Sequence, residues 1–135
     1  MTAFVIDASI AAAFAFGEND DPRVMSAIER LGETVALAPT VFFYELRNVL
    51  IVGERRGRST PQKSADFLRN LAALPLKIVA PPDGSELMAL ARARKLTVYD
   101  AAYLDLAIRE GLPLATLDRQ LERAALAEGV ALFGA

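Results

Sequence analysis

The chain opens on a short apolar run, Ala3-Phe4-Val5-Ile6, that ends at Asp7, the pattern of a strand buried on both faces. Ser9 is placed to cap a helix through the alanine-rich stretch Ile10 to Phe16, and Gly17-Glu18-Asn19-Asp20-Asp21 breaks that pattern. Asp21 before Pro22 predicts a helix start, with Asp at the N-cap and Pro in the first helical position, running to about Leu31. Val35-Ala36-Leu37-Ala38 is a second strand, stopped by Pro39. Thr40 then caps a long helix to about Arg56, closed by Gly57. Thr60-Pro61 opens a helix to about Leu74, and Leu76-Lys77-Ile78-Val79 is the third strand. Asp83 and Glu86 form a capping-box-like start to a helix ending near Arg94. Thr97 caps Val98 to Glu110, which Gly111 ends. Pro113-Leu114-Ala115-Thr116 is a short strand, Leu121 to Glu128 is helical, and Val130-Ala131-Leu132 is a last strand.

Strands alternating with helices imply βαβ units, and so a parallel sheet with helices on both faces. No repeat, low-complexity tract or linker interrupts the pattern. Residues 1–135 are therefore expected to form a single α/β domain, an α/β/α sandwich around a central parallel sheet of about five strands. In open sheets of this kind ligands sit beyond the carboxyl ends of the strands, near a switch in strand order.

Composition narrows the chemistry. At 53% hydrophobic residues, the 135-residue chain has enough apolar surface to bury a real core. Cysteine is absent, which removes disulfides, thiolate zinc sites and thiol nucleophiles. Histidine is absent too, which removes a Ser-His-Asp triad, His-ligated zinc and imidazole-based RNA cleavage. Hydrolysis, if any, must run on carboxylates, hydroxyls or a bound ion. No apolar run reaches the ~18 residues of a membrane span. The opening MTAFVIDAS lacks the basic region of a secretory signal, so the expectation is a soluble, cytoplasmic protein with no membrane association.

Four acids stand out. Asp7 ends the first strand, and with Ser9 available as capper it is released to point into the crevice. Glu45 lies on the long helix among Phe42, Leu46, Val49 and Leu50, sharing a face with residues that should be buried, and Arg47 points elsewhere. An acid in such surroundings is costly without a cation or strong donors. Asp100 falls in the first turn of its helix, where the helix dipole favours it, yet its neighbours Tyr103, Leu104 and Ala107 mark an inward face. Asp105 lies some 140° round the same helix and can pair with Arg109, so it is assigned to the surface. Asp118 follows the fourth strand and suits an N-cap. Alone, several of these have ordinary structural explanations. Together, two at strand ends and two facing inward near helix starts, they can converge on one crevice.

Carboxylates gathered without a Lys repel one another by about 4 kcal/mol per pair at about 4 Å and an effective dielectric near 20. Either some hold protons or a cation sits between them. Oxygen-only ligands suit Mg²⁺ or Mn²⁺ rather than zinc. Such an ion can hold a phosphate oxygen, acidify an attacking water and steady the leaving oxygen, which makes phosphodiester hydrolysis the natural use. The Ser9 and Thr116 hydroxyls and the Asn48 amide are candidate partners that orient the ligands, although each could be an ordinary cap or core polar group.

The segments FVIDASIAAAF, TVFFYELRNVL, LTVYDAAYLDLAIREGLPLATLDRQL and GVALF resemble the PIN-domain ribonucleases, most closely the VapC-type toxins of toxin–antitoxin pairs. In that resemblance the acids fall on Asp7, on Glu45 of an E-x-x-N pattern with Asn48, on Asp100 of YDAAYL, and on Asp118 of T-x-D. It implies a PIN-like fold and a Mg²⁺-dependent endoribonuclease, Mn²⁺ also serving, with Asp7, Glu45, Asp100 and Asp118 as catalytic and metal-ligating residues. It also implies RNA as substrate, cleavage by a metal-activated water to 5′-phosphate and 3′-hydroxyl ends, a homodimer, and a cognate antitoxin of a type II system seated in a groove beside the active site.

A net charge of −2 argues against strong nonspecific RNA binding. The clusters Arg55-Arg56-Arg58 and Arg92-Arg94-Lys95 end helices, where favourable dipole charge and solubility explain them better than RNA contact. Phe14 and Phe16 are either a partner surface or core. An aspartyl-phosphate phosphatase would want a second Asp where Ser9 stands. The non-enzymatic alternative is a PIN-like RNA- or protein-binding module without turnover.

Overall fold

In this computed structural model, which describes residues 3–134, the first apolar run is the centre of the sheet. Strand β1 (Phe4–Ile6) has no exposed surface at any of its three residues, so both its faces are covered. It is flanked by β2 (Ala36–Pro39) on one side and β4 (Leu114–Ala115) on the other, with β3 (Leu76–Val79) outside β2, giving the order β3-β2-β1-β4. All pairings are parallel, with Phe4 opposite Ala36 and Val5 opposite Leu114. The chain thus builds outward from β1 to β3 and returns to the far side of β1, so the strand order switches between β1 and β4.

Among the described residues four strands form where about five were expected. The segment predicted as a last strand makes one bridge, Leu132 to Leu114. The chain turns at positive φ at Gly129 and Gly134, leaving too short a run for a ladder. Phe133 still anchors this end by stacking on Phe4, ring centroids 4.5 Å apart.

Seven helices flank the sheet among the described residues: α1 (Ala8–Ala15), α2 (Pro22–Leu31), α3 (Val41–Arg55), α4 (Pro61–Ala72), α5 (Leu87–Arg94), α6 (Val98–Glu110) and α7 (Arg119–Ala127). Several caps are as the sequence predicts. Asp21 accepts the Arg23 N–H, Thr60 that of Lys63, Thr97 that of Asp100, and Asp118 that of Leu121. Gly111 ends α6 in the left-handed region at φ 64.

Three caps differ. Helix α1 begins at Ala8 with Asp7 in the cap position, so Ser9 lies inside the first turn and its hydroxyl is used elsewhere. Thr40 has helical backbone angles and makes no side-chain cap bond. The Asp83–Glu86 box does not form, because the chain turns at Gly84 and the Ser85 hydroxyl accepts the Leu87 N–H instead. Asp105 is a further correction: it is buried, 7% exposed, with its carboxylate accepting from Arg109 Nε at 2.9 Å. Helix α6 packs on β1, β2 and β4 as well as on α5 and α7, so its buried arc is wider than one amphipathic face allows. Phe14 and Phe16 are half-buried, Phe14 against Phe67 and Phe16 under the Arg58 guanidinium. No described helix is long and apolar enough to cross a membrane.

Candidate active site

Asp7 sits where β1 ends beside β4, at the switch in strand order. Its N–H donates to the Ala115 carbonyl at 2.9 Å, which ties the two strand ends together. Asp7 is 6% exposed, and its Oδ2 accepts from the Ser9 and Thr116 hydroxyls, both at 2.7 Å. Those hydroxyls also accept, Ser9 from the Leu117 N–H and Thr116 from the Asp118 N–H, each at 3.0 Å. The turn after β4 therefore reaches Asp7 through two hydroxyl relays. Burial pushes the Asp7 carboxyl up to about 6; the two hydroxyl bonds oppose this, and the charges of Glu45 and Asp100 add to it.

Glu45 is half-buried on α3, and its Oε1 accepts from the Tyr103 hydroxyl at 2.6 Å. Burial raises its carboxyl, the Tyr103 bond lowers it, and the Asp100 charge raises it again. Asp100, half-buried in the first turn of α6, is likewise raised by burial and by the charge of Asp118, against a lowering contact from the Thr97 hydroxyl. Asp118 caps α7 through Oδ1, 2.9 Å from the Leu121 nitrogen. Electrostatic repulsion thus links Asp7, Glu45, Asp100 and Asp118, and no Lys or Arg is among the groups shifting the first three.

Asp7, Glu45 and Asp118 each commit one carboxylate oxygen to a protein donor and leave the other without a partner among the described residues. Among those residues no three acidic side chains stand as a ready-made ligand set. The chemistry of the donors fits a hard divalent ion: oxygen only, anionic, and short of a compensating cation.

Of the other candidates, Ser9 and Thr116 stand directly behind Asp7. Asn48 is exposed and lines a cavity with Phe16, Gly53, Arg56 and Arg58. Arg47 lies over the Phe43 ring, 3.5 Å from its centroid. Arg58 pairs with Glu18, and Arg94 with Glu128, so both basic clusters have acidic partners within the chain.

Two contributors escape sequence reasoning. Tyr103 counted there only as an inward neighbour of Asp100, yet a tyrosine on a buried face needs a partner for its hydroxyl, and that need was the available signal. Arg23 bonds the Thr116 carbonyl at 3.3 Å and Glu122 at 2.5 Å while its other nitrogens hold Asp21, so it braces the turn after β4. Nothing local announces it, since two of its partners are more than ninety residues away.

The family profile for the PIN domain matches residues 4–126. A ribonuclease VapC3 from Pyrobaculum aerophilum is 35% identical over 123 residues, spanning 87% of this chain and 90% of its own. Among solved structures, PAE2754 from the same organism superposes with a TM-score of 0.71 at 28% identity, covering 91% of this chain and 84% of its own. VapBC2 from Rickettsia felis, solved on a promoter DNA fragment, matches with a TM-score of 0.67 at 14% identity over 97% of both chains. VapC20 from Mycobacterium tuberculosis, a toxin that cleaves the sarcin-ricin loop, gives 0.59 at 15% identity, over 90% of this chain and 94% of its own.

Proposed function

The chain belongs to the PIN-domain family, and on that premise we propose that it is a metal-dependent endoribonuclease acting as the toxin of a toxin–antitoxin pair. The observation that carries this reading is that Asp7, at the switch in strand order, feels the charges of Glu45 and Asp100, and Asp100 that of Asp118, with three carboxyls pushed upward and no cation among the groups that shift them.

Asp7, Glu45, Asp100 and Asp118 would hold Mg²⁺ or Mn²⁺. When bound, the ion supplies charge neutralisation for the phosphodiester and acidifies the attacking water. Without it, four carboxylates would repel the RNA backbone. The Ser9 and Thr116 hydroxyls fix Asp7 by engaging Oδ2 and leaving Oδ1 for the ion. Leu121 fixes Asp118 in the same way through its backbone N–H. Attack of water on phosphorus breaks the bond to the 3′ oxygen, which takes a proton. The products carry a 5′-phosphate and a 3′-hydroxyl, and no imidazole is required.

The VapBC assembly from Rickettsia felis supports a cognate antitoxin as partner. A homodimer and a cytoplasmic location complete the proposal. The test is to incubate purified protein and Mg²⁺ with cellular RNA and ligate adaptors selectively to 5′-monophosphate ends. New monophosphate ends at defined sites are expected. Ends bearing 5′-hydroxyls and cyclic phosphates would contradict the water mechanism.

A further inference from the structure

Tyr103 has no exposed surface, yet its hydroxyl is spent on a carboxylate of another element rather than on a nearby backbone carbonyl. It lies three residues after Asp100 on α6, and its hydroxyl meets Glu45 Oε1 of α3 at 2.6 Å. One side chain therefore joins the helices that bear Glu45 and Asp100.

A phenylalanine would fill the same core volume without bringing a hydroxyl to be satisfied. The partner chosen is an acid already disfavoured as an anion by burial and by Asp100. Packing alone gives no reason for that pairing. A donor that holds one carboxylate oxygen so that the other is presented to an ion does.

We propose that Tyr103 is a positioning residue of the acidic site: its hydroxyl clamps Glu45 Oε1 and orients Oε2 toward the ion-binding position proposed for Glu45 with Asp7 and Asp100. This rests on the metal-dependent reading above and adds a residue outside the ligand set. Tyr103 itself touches neither ion nor RNA.

The test is a calorimetric titration with Mn²⁺ alone, no RNA present, on the intact chain and on Tyr103→Phe, Glu45→Gln and the double variant. Tyr103→Phe should bind Mn²⁺ about 10-fold more weakly, the range seen when the donor behind a metal ligand is removed. In the Glu45→Gln background the same change should cost no further affinity. With RNA, kcat should fall while KM holds. A merely structural tyrosine would lower the melting temperature and leave Mn²⁺ affinity and kcat of the folded protein intact, and that result overturns the proposal. Absence of Mn²⁺ binding by the unaltered chain would sink the metal reading itself, and the clamp with it. Should Tyr103→Phe fail to fold, a second measurement avoids altering Tyr103. The chain has no Trp and three Tyr, so Tyr44→Phe with Tyr99→Phe leaves Tyr103 as the sole near-ultraviolet reporter besides Phe. Mg²⁺ should then shift its tyrosine band, and Glu45→Gln should abolish the shift; an unmoved band overturns the clamp.

Discussion

Asp7 concentrates the tension of the site, because burial makes its charged form costly in the metal-free protein. An unfolded carboxyl of this type ionises near 3.8, whereas Asp7 in the fold does so at about 6. Between those values the folded chain keeps a proton that the unfolded chain has released, so stability falls as pH rises through that window. Above it the cost is roughly 3 kcal/mol. Glu45 and Asp100 are displaced in the same direction. Thermal melts in chelator should therefore show a lower midpoint at neutral pH than near pH 5, and Asp7→Asn should flatten that slope and raise the neutral midpoint. Asp21 behaves oppositely: bonding to Arg23 holds its carboxyl down to about 2, so its contribution is present above the ordinary carboxylate value and is lost as pH falls toward 2. The acids were legible in the sequence because each interrupts an apolar pattern or ends a strand. The partners that orient them were only partly so, since Tyr103 and Arg23 reach across many residues to groups that no local window contains.

At the scale of elements, four helix starts follow the cap chemistry in the sequence, with Asp21, Thr60, Thr97 and Asp118 each accepting an N–H of the first turn. Thr97 is such a case, and its cap stands at the first turn of the helix that presents Asp100. Thr97→Ala should cost about 1 kcal/mol, lowering the melting midpoint by about 4 °C. Gly111→Ala, forced into a positive φ at the other end of α6, should cost about as much, seen in the same melts. Ser9 does not cap α1, because a hydroxyl that can close a helix can equally serve a neighbouring carboxylate, and the packing of β4 beside β1 decides between the two. Asp105 is buried rather than on the surface for a related reason. A helix covered on several sides has no solvent face for a periodicity argument to find, and the Arg109 pairing that was foreseen is what makes its burial tolerable.

For the molecule as a whole, the alternation of strands and helices made a parallel sheet legible, but not which strand would lie beside β1. That neighbour proves to be β4, and the choice brings Thr116 to Asp7, its hydroxyl accepting in turn from the Asp118 N–H. On the proposed metal-dependent reading, an ion held by these acids would relieve their mutual repulsion, so saturating Mg²⁺ or Mn²⁺ should raise the melting midpoint by linkage. Asp7→Asn should lose most of that rise. The most direct test of the central claim is cleavage of an RNA by the purified chain, with and without Mg²⁺ or Mn²⁺, beside the Asp7→Asn protein. The account predicts cleavage that needs the ion, stops in excess chelator and is absent from the folded variant; cleavage that persists in chelator, or survives in Asp7→Asn, would contradict it.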